Sequence, residues 1–292
     1  MRLRSAILFF FALFFCDLFF AQVTETVKPL VIDESKSTIR TRFTPPPGFT
    51  WVKEEPGSFG DFLVNFPLHP PGFPIRDYKG VPLPRQHNHL AILKIDVGEK
   101  DLQQCADAWM RLYAEYLWGQ KRYDEIGFHF TSGQFMSWND FKNGVRTTEV
   151  KDRVKFHKTA KFDDSYQNFR KYLNLVFNYA GTISLDREGV KITNNNKIQT
   201  GDFLINPGSP GHSVFIVGVA KNRIGKKVYL LAESFMPAQD IHILKNPTNK
   251  KFSPWYELDV NRSQTITAKY LFKPTVIKRF HALVKEKTAA AE

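Results

Sequence analysis

The segment 201–220, GDFLINPGSPGHSVFIVGVA, restricts the fold of this chain more than any other. A Gly-Asp pair opens a short apolar run, a turn rich in Pro and Gly follows, and a longer apolar run begins at His212. Two apolar runs joined by such a turn predict neighbouring strands of a sheet. A histidine at the mouth of a strand is held rigidly and still meets solvent, which suits a catalytic base better than a core residue.

In the remaining pattern, the predicted helices lie early and an antiparallel run of strands lies late. Apolar residues recur at helical spacing over 101–118 and 168–179, which predicts two amphipathic helices. Strands are predicted at 89–97, 128–138 (with a turn), 203–205, 213–220 and 227–234, with edge strands at 266–270 and 276–280. This order favours an α+β fold, in which a long N-terminal helix packs on a mainly antiparallel sheet.

The N-terminus predicts export. Arg2 and Arg4 precede an apolar run over 6–15, and the small residue Ala21 marks the expected cleavage site of a signal peptide, residues 1–21. Asp17 interrupts the run, which is too short for a stable membrane span. The bulky Phe15 argues against lipid attachment at the next residue, a cysteine. We therefore expect a periplasmic or secreted protein.

The rest of the chain, residues 22–292, is long enough for a sizeable core and is expected to form a single α+β domain. Its N-terminal part contains a Pro-rich region, residues 44–86, in which Pro excludes long helices. We expect ordered loops there, with a short helix near residues 58–66, packed over the core.

Charge points to an anionic partner. The sequence has 41 Lys and Arg residues against 29 Asp and Glu residues, a formal charge of +12. Such a charge favours a cell-envelope polymer or peptide, and export argues against nucleic acid. The basic residues are scattered, which favours a solvated basic surface over a dedicated binding patch. The sequence does not define the oligomeric state.

Once the signal peptide is removed, Cys105 is the only cysteine, so the mature chain has no internal disulfide. A thiol becomes a strong nucleophile beside a base or a helix N-terminus. Cys105 lies in the first turns of the predicted helix, and His212 is the candidate base. Glu233 follows on the next strand and is the candidate for orienting the imidazole. Gln103, Gln104 or the N–H groups of the helix start are candidate oxyanion donors.

Structural roles are open for the same residues. Cys105 falls on the apolar face of its predicted helix, where free cysteines are commonly buried. His212 is also suited to a turn, and Glu233 to the exposed face of an alternating strand.

A metal site is a weaker alternative. His87 and His89 would share a strand face, and zinc would need a third ligand. The candidates for that ligand are His69, His129 and His242. No spacing demands one of them, and no nucleotide-binding motif is present, so no metal or cofactor is predicted.

Five blocks of the chain are similar to a family of secreted bacterial proteins known as domain of unknown function 4846. The blocks are residues 101–117, 168–185, 201–220, 230–247 and 253–259. They span most of the mature chain. The family's activity is unassigned, so this resemblance implies membership but no reaction.

A looser resemblance is to papain-like cell-wall hydrolases of the NlpC and CHAP type. These proteins place Cys at a helix start, then a Gly-Asp strand, then a Gly-His strand. Cys105, Gly201-Asp202 and Gly211-His212 follow in that order. The resemblance implies a papain-like core and requires residues 118–200 to be an insertion. Cys105 also lacks the small-residue and Gly pattern that follows the nucleophile in that group.

We therefore expect a thiol-dependent amide hydrolase acting on the bacterial cell envelope, with peptidoglycan peptide as its substrate. Cys105 would attack, His212 would act as base and then acid, and Glu233 would orient the ring. The alternative is a non-catalytic envelope-binding protein that retains the hydrolase-like fold.

Overall fold

The computed structural model describes residues 32–150 and 153–284, so the predicted signal peptide lies outside the described residues. The helices are α1 (Ile39–Arg42), α2 (Phe59–Val64), α3 (Cys105–Gly119), α4 (Trp138–Lys142), α5 (Tyr166–Tyr179) and α6 (Thr182–Arg187). The strands are β1 (Phe49–Trp51), β2 (His89–Ile92), β3 (Gly127–His129), β4 (Phe135–Ser137), β5 (Val145–Val150), β6 (Arg153–Lys158), β7 (Gly189–Lys191), β8 (Phe203–Asn206), β9 (His212–Asn222), β10 (Lys227–Glu233), β11 (His242–Leu244), β12 (Thr265–Ile266), β13 (Leu271–Phe272) and β14 (Ile277–Phe280).

Within these residues, eight strands form one antiparallel sheet in the order β2-β11-β10-β9-β8-β14-β7, and β1 also pairs with β9. The three strands predicted at 203–234 are its centre, and the α+β class is confirmed. The expectation that 276–280 form an edge strand is wrong, because β14 lies between β8 and β7. β7 covers that edge and has only three residues, too few to show alternation. β12 and β13 form a separate pair.

The longest described helix, α3, has 15 residues and packs on the centre of the sheet. The expectation of an N-terminal position is wrong, because α1, β1, α2 and β2 precede it. α3 begins at Cys105, where the Asp107 side chain accepts the Gln104 N–H at 3.2 Å. Trp109 fixes the helix on the sheet. Its ring lies 5.4 Å from that of Phe203, and its Nε1 donates to the Gly201 carbonyl at 3.1 Å.

The two faces of the sheet carry two hydrophobic cores. Phe215 and Ala232 belong to the larger core, which includes α3 and α5. Val214 and Leu231 belong to a smaller core on the other face, together with Phe272. Side chains alternate between the two faces along a strand. Consecutive residues of β9 and β10 therefore contribute to different cores.

The Pro-rich region packs over the larger core. β1 pairs with the far end of β9, and α2 occupies most of the span predicted as a short helix. The Phe59 ring of α2 lies 5.8 Å from the ring of Trp109 and 5.3 Å from that of Tyr113. Across residues 32–150 and 153–284, we find no helix with the length and apolarity needed to cross a membrane.

Candidate functional site

Cys105 is the first residue of α3 and opens onto a cleft of about 370 Å³. The thiol residue is only 8% exposed. The opposite wall of the cleft is the turn 208–211, which connects β8 to β9, together with Gly181 and Thr182 at the start of α6. Gly211 is required there, because an added Cβ would lie 2.8 Å from the Asn206 carbonyl oxygen.

The surroundings of Cys105 keep its thiol protonated at rest. Burial, and then the nearby Asp107 carboxyl, raise the pKa of Cys105 to about 11. The backbone N–H groups of Ala106 and Ser213 act in the opposite direction by hydrogen bonding to the sulfur. The Ser213 contact places the sulfur at the end of β9, beside the amide that follows His212.

His212 and Glu233 form a buried pair. His212 Nε2 lies 2.9 Å from Glu233 Oε2, and the two residues are 2% and 0% exposed. The expectation that His212 meets solvent is therefore wrong. The ring packs against Phe235 and Tyr270, with ring centroids 4.8 Å and 4.7 Å away. An ionised carboxylate only accepts hydrogen bonds, so Nε2 carries a proton. In the neutral ring, Nδ1 is then the nitrogen that can accept a proton.

The second oxygen of Glu233 faces two further basic groups. His242 Nε2 lies 3.5 Å and Lys269 Nζ 3.9 Å from Oε1. Burial alone would raise the pKa of Glu233. The interactions with His212 and His242 outweigh burial and lower the pKa to about 2. His242 is itself held by a hydrogen bond from Nδ1 to the Asp240 carbonyl at 2.8 Å.

The structure thus gathers the three predicted residues at one end of the sheet but joins only two of them. His212 and Glu233 are hydrogen bonded. Cys105 reaches the same strand end through the Ser213 amide. α3 lies on the Ser213 face of the sheet, whereas the His212 ring lies on the Val214 face. The described contacts include no hydrogen bond between the Cys105 sulfur and the His212 ring.

The predicted oxyanion donors differ in position. Gln104 lines the cleft, and its Nε2 donates to Asp101 at 3.1 Å. Gln103 is buried, and its Oε1 accepts from Arg111 at 2.9 Å. Gln103 Nε2 has no hydrogen-bond partner among the residues that the structure describes. Of the predicted donors, the N–H groups of Cys105 and Ala106 at the start of α3 are the ones that favour the Cys105 thiolate.

The histidines considered for zinc do not form a metal site within the described ranges. His89 and His242 approach each other, with ring centroids 6.0 Å apart, and burial lowers the pKa of His89 to about 4. His69 stacks on Phe73 instead, and His129 pairs with Glu188. In the part of the chain that the structure describes, no group of three or more His, Cys, Asp or Glu residues is arranged to hold a metal ion.

Two residues of this site were not predicted in the positions they occupy: His242 was considered only as a zinc ligand, and Asp107 was not considered. His242 shares a sheet face with Leu244 and is paired with Glu233 across β10 and β11, but β11 has only three residues, too few to reveal this face in the sequence. Asp107 follows an expected pattern, an acid in the first turn of a helix. Its burial becomes apparent only when the cleft walls are in place.

Comparison with known families identifies the class of this chain. Residues 39–279 match the family model described as domain of unknown function (4846). The match covers most of the chain, so the protein belongs to this family, and the resemblance seen in the sequence is confirmed. Neither the curated proteins nor the solved structures contain a match. The family description assigns no activity.

Proposed function

We propose that this protein is an exported thiol hydrolase with a papain-like core, which cleaves an amide bond in the peptide of the cell envelope. One observation carries the proposal. Cys105 begins a helix in a cleft whose opposite wall includes Gly211, the residue before His212, and His212 Nε2 lies 2.9 Å from the buried carboxylate of Glu233. A nucleophile, a base and an orienting group are the parts that such a reaction needs.

In the proposed reaction, the Cys105 proton passes to His212 Nδ1 and the sulfur attacks the amide carbonyl carbon. The oxyanion accepts hydrogen bonds from the N–H groups at the start of α3. The C–N bond then breaks while His212 returns the proton to the leaving amine, which produces a thioester. Water, deprotonated by His212, attacks the thioester and releases the acid, and the proton restores the thiol. Glu233 stays ionised throughout.

The reaction requires a change in the side chain of Cys105. The sulfur must leave the Ser213 N–H and approach His212 Nδ1, because the pKa of about 11 leaves almost no thiolate at neutral pH. Catalytic hydrogen bonds are often long without substrate and tighten in the complex. The movement must bring together two side chains that lie on opposite faces of the sheet in the described structure.

The second candidate is a non-catalytic envelope-binding protein with the same fold. It is favoured by the burial of Cys105 and by the raised pKa of its thiol. In that case the cleft binds an envelope peptide, and Cys105 only contributes to packing.

The test uses the mature protein with purified peptidoglycan sacculi, and mass spectrometry detects new peptide ends. We expect Cys105→Ala to reduce release to background. His212→Ala should reduce it by about 100-fold or more, the usual contribution of a general base. Ser209→Ala is the control, because Ser209 lines the same cleft and has no role in the proposed reaction.

Circular dichroism of each variant separates loss of activity from loss of fold. Undiminished cleavage by Cys105→Ala would remove the thiol mechanism. Binding of sacculi by every variant without cleavage, together with a Cys105 that iodoacetamide does not modify in the native state, would support the binding protein instead.

A further inference from the structure

The lining of the Cys105 cleft has an unusual charge for this chain. The whole sequence carries a formal charge of +12. Among the described residues that line the cleft, none is Lys, Arg or His, and two are acidic, Asp101 and Asp107. The cleft is therefore an acidic site in a basic protein, and such a site attracts a cation.

Asp107 is the more informative of the two acids. It is 6% exposed, and its Oδ2 accepts the Gln104 N–H at 3.2 Å, which accounts for its role at the helix start. Its Oδ1 is buried and has no hydrogen-bond partner among the described residues. A buried carboxyl oxygen without a partner costs free energy, so helix capping alone does not explain this side chain.

Asp101 differs from Asp107 in this respect. Its Oδ1 accepts the Ala238 N–H at 2.6 Å and the Gln104 amide at 3.1 Å. Asp101 is thus fixed by the protein itself. In Asp107, by contrast, Oδ1 accepts no hydrogen bond from the described residues.

The Asp107 carboxyl is mostly protonated at neutral pH when no cation lies beside it, and a bound cation would favour its ionised form. Burial raises the pKa of Asp107 to about 8, because the described surroundings contain no positive group that stabilises its ionised form. The charge of Asp107 also acts on the Cys105 thiol, so a group bound to Asp107 lies close to the sulfur.

We propose that Asp107 Oδ1 binds a primary ammonium group of the substrate, next to the amide that Cys105 attacks. This inference rests on the proposed function and adds a substrate class, namely envelope peptides in which an amino group near the scissile bond is free. An ammonium donates the hydrogen bond that Oδ1 lacks and supplies the positive charge that the cleft lacks.

The test compares two peptides that differ only in acetylation of the side-chain amine of a Lys residue next to the scissile amide. Binding to the Cys105→Ala variant is measured by calorimetry, so this readout does not depend on cleavage. We expect the free amine to bind at least about 10-fold more tightly, the range of a hydrogen bond to a charged group. Adding Asp107→Asn should remove this preference.

Asp140→Asn in the same Cys105→Ala background is the matched control. Asp140 occupies the same position in the first turn of α4, but it is exposed and outside the cleft. This control should keep the preference for the free amine. Equal binding of the two peptides, no measurable binding of either, or a preference that survives Asp107→Asn would overturn the ammonium site.

The two proposals fail in distinguishable ways. If the free amine is preferred but the wild-type protein does not cleave the peptides, the ammonium site stands and the thiol mechanism is lost. If cleavage depends on Cys105 but is equal for the two peptides, the thiol mechanism stands and the ammonium site is lost.

Discussion

At the residue scale, the buried charge of Glu233 organises the site. The carboxylate has no exposed surface, and it stays ionised because His212 and His242 lie on its two oxygens. Its pKa of about 2 is below the ordinary value of 4.5. The ionised form is therefore favoured in the folded protein, and Glu233 contributes stability above pH 4.5. That contribution is lost as the pH falls from 4.5 through 2.

Glu233→Gln is predicted to remove this acid-dependent contribution. The wild type should be more stable than the variant at pH 5 by a few kcal/mol, an order of magnitude set by a shift of this size. The difference should shrink as the pH falls towards 3. Urea unfolding of both proteins at pH 5, 4 and 3 measures it. A difference that stays constant over this range would show that Glu233 is not held ionised by its neighbours.

Residue positions were predictable where the strands are long and joined by a short loop. The hairpin between β9 and β10 brings Glu233 to His212, and both strands are evident in the sequence. The catalytic roles of Cys105, His212 and Glu233 stay predictions. The place of Asp107 was not predictable, because its burial depends on a turn more than 100 residues further along the chain.

At the scale of elements, a buried ion pair holds β14 on β8. Arg279 donates from Nε to Asp202 Oδ1 at 2.7 Å and from Nη2 to Oδ2 at 2.9 Å. Asp202 is fully buried and belongs to the Gly-Asp pair that marked the first strand in the sequence. The ion pair with Arg279 gives Asp202 a structural role. Its partner was not predictable, because the strand of Arg279 is far along the chain and short.

Arg279→Ala is predicted to destabilise the fold by about 3–5 kcal/mol, because it leaves a buried carboxylate without its partner. Arg279→Lys should recover only part of this loss, since Lys lacks the paired donors. Denaturant unfolding measures the changes. Lys226→Ala is the control: Lys226 and Glu257 are exposed, and such pairs contribute at most about 1 kcal/mol. Equal losses for Arg279→Ala and Lys226→Ala would contradict the argument.

At the scale of the whole molecule, the class of fold followed from the sequence, but the completed sheet did not. Apolar runs bounded by turn residues identified the three central strands, and the helical pattern identified α3 and α5. β7, at one edge of the sheet, and β11, between β2 and β10, have three residues each, so packing against neighbouring strands decides their positions. The same holds for β1, which joins the sheet from the Pro-rich region.

The basic charge and the acidic cleft make separate contributions to binding an envelope polymer. A formal charge of +12 attracts any polyanion, and this attraction weakens as the Debye length falls from about 10 Å at 0.1 M salt to about 3 Å at 1 M. We therefore predict that binding to purified sacculi weakens by at least about 10-fold between 0.05 and 0.5 M NaCl. Cys105→Ala and Asp107→Asn should show the same salt dependence, because neither residue belongs to the basic surface. Pull-down of the protein with sacculi across this salt series measures the effect. Binding that is insensitive to salt would place recognition of the polymer in specific contacts, and the net charge of the chain would then have no part in it.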